Sequence, residues 1–264
     1  MAGPTTAERG ERQQQRSGPP LIRRLRHRRF RVIVILAVVV LLLAAGSLWL
    51  LYGSSWTRVE RVSVSGTRVL TPAQVRQAAA VPVGTPLISV DTDAIAARLR
   101  RELPRIDSVD VVRSWPREIG LKVVERTPVL VEEKGGNFIE VDARGVRFAT
   151  VSQAPKGVPA LELSLSRSSS AAASLRRFGE DGLVREAVGV AGRIPAAIAR
   201  DTRAVKVRTF DDISLELDGG RTVEWGSGEK SSQKARVLLA LMKAAPGARH
   251  FDVSVPTAPV SSGS

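Results

Sequence analysis

Between Arg31 and Arg58 lie 26 consecutive residues without a charged side chain. As a helix, the densest part, Val32–Tyr52, is about 31 Å long, matching the hydrocarbon thickness of a bilayer. Fourteen of its 21 residues are Val, Ile or Leu. At roughly 0.3–0.6 kcal/mol each, they favour insertion by about 4–8 kcal/mol. Residues 32–56 therefore read as a single membrane-spanning segment, and whatever follows must fold while tethered to a lipid surface. The run is longer than the apolar core of a cleaved signal peptide. It also continues through Leu48–Tyr52 after the small residues Ala44, Ala45 and Gly46, so it reads as an uncleaved anchor.

The flanks of the segment give it a direction. Arg23, Arg24, Arg26, Arg28, Arg29 and Arg31 crowd its N-terminal side, whereas Arg58, Arg61 and Arg68 on the other side are diluted by Glu60. The positive-inside bias places the N-terminus in the cytoplasm and the bulk of the chain outside, with the Arg cluster against anionic head groups. Trp49, Tyr52 and Trp56 fall where an outer aromatic belt belongs. The polar residues 1–20 are expected to be disordered.

The net charge of +14 raises the question of nucleic acid, and its distribution answers it. Residues 1–31 hold nine Arg against two Glu, half of the excess in about an eighth of the chain. No stacking aromatics interleave with that basic run, as a single-strand binder requires. The chain has no Cys, which excludes disulfides, thiolate chemistry and Cys-based metal sites. Aromatics are only 4% of residues, so any core is built mainly from Val, Leu, Ile and Ala.

Beyond the anchor, Val62 and Val64 alternate with polar residues as in a half-buried strand that Gly66 ends. Thr71-Pro72-Ala73-Gln74 is a helix start: a capping Thr, Pro at the first helical position and Gln closing a capping box. Asp91 or Thr92 caps a second helix with Ile95 and Leu99 on one face, stopped by Pro104. Two strands follow, one through Val109, Val111 and Arg113, the other through Ile119, Leu121 and Val123, with Trp115-Pro116-Arg117 as the turn. The order over 57–126 is β-α-α-β-β.

From Thr127 strands dominate. Val129–Val131, Phe138–Val141 and Val146–Thr150 read as a meander. A Ser/Ala-rich stretch, Ser166–Ser174, reads as loop or helix lead-in, and Leu183–Ile194 as a helix. Three strands are expected at Val205–Phe210, Ile213–Leu217 and Thr222–Trp225. Lys230–Ala245 reads as an amphipathic helix with Val237, Leu238, Leu241 and Met242 inward. His250–Val255 reads as a last strand before a flexible tail, 256–264. The fold class is α+β: one membrane helix (32–56) behind a basic tail (1–31), a β-α-α-β-β unit (57–126), and a mostly antiparallel β domain with helices (127–255).

Three stretches resemble the bacterial cell division family FtsQ/DivIB. They are Val59-x-x-Val62-x-Val64-x-Gly66; Pro104-Arg105 through Trp115-Pro116 to Val123-x-Glu125-Arg126-x-Pro128; and Val141-Asp142-x-x-Gly145-Val146. Gly226–Lys234, leading into a Val/Leu helix, is also similar. The Arg- and Ala-rich composition resembles family versions from GC-rich Gram-positive bacteria. The resemblance implies a POTRA domain near the membrane and a β domain beyond it, both extracytoplasmic, in a single-pass type II protein of the division septum. It implies a non-catalytic scaffold of the divisome that binds the bitopic proteins FtsB (DivIC) and FtsL and helps control septal peptidoglycan synthesis. The family's FtsB-binding surface maps to about Lys230–Val255. There Arg249, Phe251 and Val253 are expected to line a partner strand, with Lys230, Lys234 and Arg236 as charged flanks. The first POTRA strand and helix are candidate docking sites for other division proteins.

Enzymatic signatures are sparse. The two His, His27 and His250, stand apart, and no His/carboxylate cluster has metal-ligand spacing. Asp91-x-Asp93 and Asp211-Asp212 read as a cap and a turn. Ser231-Ser-Gln-Lys234 matches the Ser-x-x-Lys nucleophile of penicillin-binding enzymes, but no Lys-Thr-Gly or Ser-x-Asn accompanies it. No catalytic residue, cofactor or metal is assigned. Two other readings stand beside the scaffold: an envelope enzyme (wall hydrolase or transpeptidase) with an unrecognised site, and a POTRA protein of secretion. The single POTRA unit and the lack of a barrel-like run of strands count against the latter.

Overall fold

The computed structural model describes residues 21–164 and 168–263, with side chains from Phe30 onward. The polar tail 1–20, the side chains of Arg23, Arg24, Arg26, Arg28 and Arg29, and part of the Ser-rich stretch lie outside the described residues.

Helix α1 (Leu21–Leu48) begins upstream of the uncharged run and carries the Arg cluster on its own backbone. Its apolar part, Phe30–Gly53, is exposed apart from the half-buried Leu51 and is long enough to cross a bilayer. The helix closes with a wide turn, Trp49–Gly53, rather than running on to Trp56. Its last carbonyls find partners within the chain, as helix ends require. The buried Thr57 hydroxyl donates to Leu50 O (3.0 Å) and Leu51 O (3.3 Å), and Ser54 N donates to Trp49 O (3.1 Å).

The next unit holds β1 (Arg61–Ser65), α2 (Pro72–Ala79), α3 (Thr92–Glu102), β2 (Ile106–Ser114) and β3 (Glu118–Glu125). The Thr71/Gln74 capping box starts α2, and the Asp91 side chain accepts from Ala94 N to start α3. The sheet order is β1-β3-β2, with β1 parallel to β3 and β2 antiparallel to it. Val75, Ala79, Ile95 and Leu99 from the helices meet Ile106, Ile119, Leu121 and Val123 from the strands in one apolar core.

The second unit is a nine-stranded sheet in the order β12-β11-β10-β9-β8-β7-β4-β5-β6. Its strands are β4 (Pro128–Lys134), β5 (Asn137–Asp142), β6 (Arg147–Val151), β7 (Ala160–Leu163), β8 (Thr202–Thr209), β9 (Asp212–Leu217), β10 (Arg221–Glu224), β11 (His250–Asp252) and β12 (Val260–Ser262). Five pairings are antiparallel and three parallel (β4/β7, β7/β8 and β10/β11), so the sheet is mostly antiparallel. On β9, Ile213, Leu215 and Leu217 are buried while Ser214 and Glu216 face away, the period-two signature of a half-buried sheet. The inner face packs on α4 (Ser169–Ala191) and α6 (Ser231–Ala244), with Leu183, Val184, Ala187 and Leu238 in the core. A short α5 (Ala196–Ala199) precedes β8.

The structure departs from the sequence reading at α4, at β7 and in the last two strands. The Ser/Ala-rich stretch is helical from Ser169, and α4 breaks at Gly179 (φ 68°, ψ 164°), so the helix predicted at Leu183–Ile194 is only its second limb. Strand β7, with four residues, was not expected. It is too short to show a period, and only its place between β4 and β8 makes it a strand.

The two units are joined by paired charges. Glu140 and Asp142 on β5 are buried, at 4% exposure each. Arg105 Nη2 meets Glu140 Oε2 at 2.5 Å, with its guanidinium 5.2 Å from the Phe148 ring centroid. Arg126 pairs with Asp142 and, at 3.2 Å, with Asp107. The exposed Arg144 joins from the rim through Asp107. Asp142 also accepts from Arg144 N (2.8 Å) and Val146 N (2.9 Å), closing a turn in which Gly145 adopts φ 79°. The Asp-x-x-Gly motif is thus a turn whose acid also receives the neighbouring domain. Glu125, beside Arg126, faces the other way and accepts the backbone N–H groups of Arg68, Val69 and Leu70 at 2.9–3.2 Å.

Two predictions follow from these charges. Removing one partner of a buried pair strands the other. Arg126→Met should therefore cost about 3 kcal/mol in denaturant unfolding of the chain in detergent, and Arg144→Met less than about 1 kcal/mol. Burial raises the Glu125 carboxyl, but the three N–H donors, with Arg105, outweigh it and hold the group below its ordinary value. A depressed carboxylate contributes stability above its unfolded pKa and loses it as pH falls through the folded one. Glu125→Ala should thus destabilise at neutral pH and show a shallower loss of melting temperature on acidification than the native chain.

Candidate functional site

The family resemblance implies a docking surface at about Lys230–Val255, and the fold divides those residues into two groups. Phe251 and Val253 are 1% and 0% exposed and belong to the core. Their side chains support β11 and do not line a partner strand. Strand β11 is shorter than expected and is not an edge, because β10 and β12 flank it. Lys230 and Arg236 are exposed on or beside α6, and Arg249 is exposed just ahead of β11.

Lys234, expected as a charged flank, is 2% exposed. Its ammonium donates to Trp225 O (2.8 Å) and Ser227 O (2.9 Å), tying α6 to the loop that precedes it. Burial lowers its pKa against the pull of Glu229, Glu186 and Asp211. Ser231, its partner in the Ser-x-x-Lys pattern, is also 2% exposed. The hydroxyl donates to Gly228 O at 2.7 Å and accepts from the Trp225 indole at 3.3 Å. Both groups are committed to backbone and core, so the spacing marks a loop fastening.

The free edge lies beyond the predicted strand. Residues 256–264, read from sequence as a flexible tail, supply β12, which pairs antiparallel with β11 through His250↔Ser262, Phe251↔Ser261 and Asp252↔Val260. Arg249 N donates to Ser262 O and Gly263 O (3.2 and 3.0 Å). Among the described residues, nothing pairs with the outer side of β12. Exposed sheet edges are usually guarded by charge. The opposite edge, β6, follows this rule, with Arg147 held by Glu132, Glu180 and Asp181. By contrast, 253–264 contains no charged residue, and Val255 and Val260 are 56% and 55% exposed. Its Pro/Ser/Gly composition hides the strand, but the absence of charge was visible in the sequence. At about 4.8 Å per strand, β12 lies roughly 40 Å across the sheet from the junction edge.

Among the described residues, no group of three or more His, Asp or Glu is placed to hold a metal. A cleft of about 300 Å³ at the domain junction is lined by Asp107, Glu125, Arg126, Asp142 and Arg144, whose charges are mostly paired with one another or with backbone.

The fold and this edge define a class: single-pass membrane proteins that carry a POTRA unit and a wide β domain. Comparison with known proteins makes the class specific. The family description "POTRA domain, FtsQ-type" matches residues 57–126, and "Cell division protein FtsQ/DivIB, C-terminal" matches 129–254. The cell division protein FtsQ of Streptomyces coelicolor is 73% identical over 264 residues, covering 100% of both chains, and that of Streptomyces collinus is 72% identical with the same coverage. A solved extracytoplasmic domain of DivIB from Geobacillus stearothermophilus matches 46% of this chain and 95% of its own, at 15% identity and a TM-score of 0.32. The chain belongs to the FtsQ/DivIB family of bacterial cell division proteins, a non-catalytic family of the divisome.

The seating of Ser231 gives a direct check. A fluorescent penicillin should leave the chain unlabelled at concentrations that saturate penicillin-binding enzymes. Lys234→Met, which strands two carbonyls, should destabilise by about 2 kcal/mol in thermal unfolding.

Proposed function

We propose that this chain is a bitopic scaffold of the division septum, with its N-terminus in the cytoplasm and its POTRA and β domains outside. It binds FtsB/DivIC and FtsL type partners through those domains and helps control septal peptidoglycan synthesis. The orientation rests on the Arg-rich N-terminal flank. The observation that carries the docking reading is the open, uncharged edge of β12 with Val255 and Val260 exposed beside it. A partner segment adding there as a strand gains affinity from main-chain hydrogen bonds and specificity from alternate side chains. Arg249, just ahead of β11, and Lys230 and Arg236 of the α6 region supply positive charge suited to an acidic partner. Phe251 and Val253 hold β11 in register, and Lys234 holds α6; they serve the surface from below.

Deleting residues 259–264 should weaken binding of a DivIC-type ectodomain at least tenfold, about 1.4 kcal/mol, without lowering the melting temperature by more than a few degrees. Lys230→Gln, Arg236→Gln and Arg249→Gln together should weaken it severalfold and flatten its salt dependence. Unchanged binding in the deletion removes the edge from the interface. In cells, depletion should give filaments without septa; an export defect with normal septation would instead favour the secretion reading.

A further inference from the structure

We propose that the POTRA unit rests on the bilayer through a second membrane contact, made by Trp115 at the β2–β3 hairpin tip and Val83 in the α2–α3 loop. The partner is the lipid interface of the leaflet in which α1 ends. This holds whichever side of the membrane that leaflet faces.

The topology brings both tips to the membrane. Strand β1 starts just after the helix, and β3 runs parallel to it from Arg61↔Glu118 onward. The start of β3, and hence the hairpin turn at 115–117, lies at the membrane-facing end. The hydrogen bonds agree: Arg117 Nε donates to Trp56 O (3.1 Å) and Glu60 N donates to Arg117 O (2.8 Å). The 82–86 loop is fastened at the same place. Val59 N donates to Thr85 O (2.9 Å), Gly84 N to Val59 O (2.8 Å) and Arg58 Nη1 to Gly84 O (2.8 Å).

Two remote segments thus close around Trp56–Glu60, immediately beyond the apolar helix. The interfacial layer on each side of the hydrocarbon is about 6 Å thick, so groups one hydrogen bond from this segment fall in or beside it. There the structure exposes Trp115 (52%) and Val83 (65%), alongside Trp56 (56%) and Tyr52 (52%). An indole with an apolar body and a polar N–H is the side chain that prefers this layer. The short link is not a swivel, because Thr57 is buried and holds the Leu50 and Leu51 carbonyls. The contact is apolar in character: Arg117 is neutralised by Glu60 at 2.7 Å, and Arg58 is occupied by Gly84.

The absence of cysteine makes the test clean. Trp115→Cys and Val83→Cys, with Val69→Cys and Val124→Cys as controls, each take one nitroxide label in the full chain, reconstituted into phosphatidylcholine vesicles. The controls are equally exposed (65% and 55%) but lie toward the other end of β3, beside Glu125. Labels at 83 and 115 should be at least about threefold less accessible to a water-soluble nickel relaxant, and more accessible to oxygen, than labels at 69 and 124. The contrast should persist at high salt and with phosphatidylglycerol added. Equal accessibility at all four positions overturns the proposal. So does protection that needs anionic lipid, which would mean charge recognition, or protection that needs an added division protein, which would make the surface a protein interface. Two separate label positions keep the result readable if one substitution disturbs its turn.

Discussion

Glu140 and Asp142 are two carboxylates on one strand, taken almost entirely out of water, and the mutual placement of the domains depends on their neutralisation. Each is met by an arginine from the other domain's chain: Arg105 from just ahead of β2 and Arg126 from the link after β3. A buried pair of this kind adds little net stability over an apolar contact, but a misplaced one is costly. Its effect is therefore to select one arrangement. The POTRA unit docks where both acids are met, and the Asp142 turn, which also takes two backbone N–H groups, fixes the approach of β6.

From that junction the architecture reads as a column with a lateral platform. The bilayer holds α1, the POTRA unit is fastened to the helix end through Thr57, Arg58 and Arg117, and the paired charges pass that fixed orientation to the nine-stranded sheet. The sheet then carries it to its far edge at β12. A scaffold working by strand addition benefits from such rigidity, since a partner confined to the same membrane meets the edge at a set height and angle. Side chains of catalytic type are occupied in making this frame. Lys234 and Ser231 fasten the loop before α6, and Glu125 anchors the loop before α2.

Much of the local structure was legible because its causes are local. The capping box at Thr71-Pro72-Ala73-Gln74 and the alternation of Ile213, Leu215 and Leu217 each follow from a few adjacent residues, and both appear as read. The surroundings of the residues expected to dock a partner were less legible because burial is not local. Phe251 and Val253 have the alternation of a partner-facing strand, yet that same alternation turns them into the core once α4 and α6 pack on that face of the sheet. Lys234 carried a charge that composition assigns to solvent, and only the positions of Trp225 and Ser227 explain its burial.

The sequence by itself determined the membrane helix, the order of the POTRA elements and the family, since each rests on uninterrupted apolar length, on short-range periodicity or on motifs that persist in order along the chain. Only the tertiary structure decided which strand is the edge, which lysine is buried and which carboxylates join the domains. Those properties depend on residues far apart in the chain meeting across a sheet. An edge in particular is defined by a missing neighbour, which becomes visible only when every other strand has been placed.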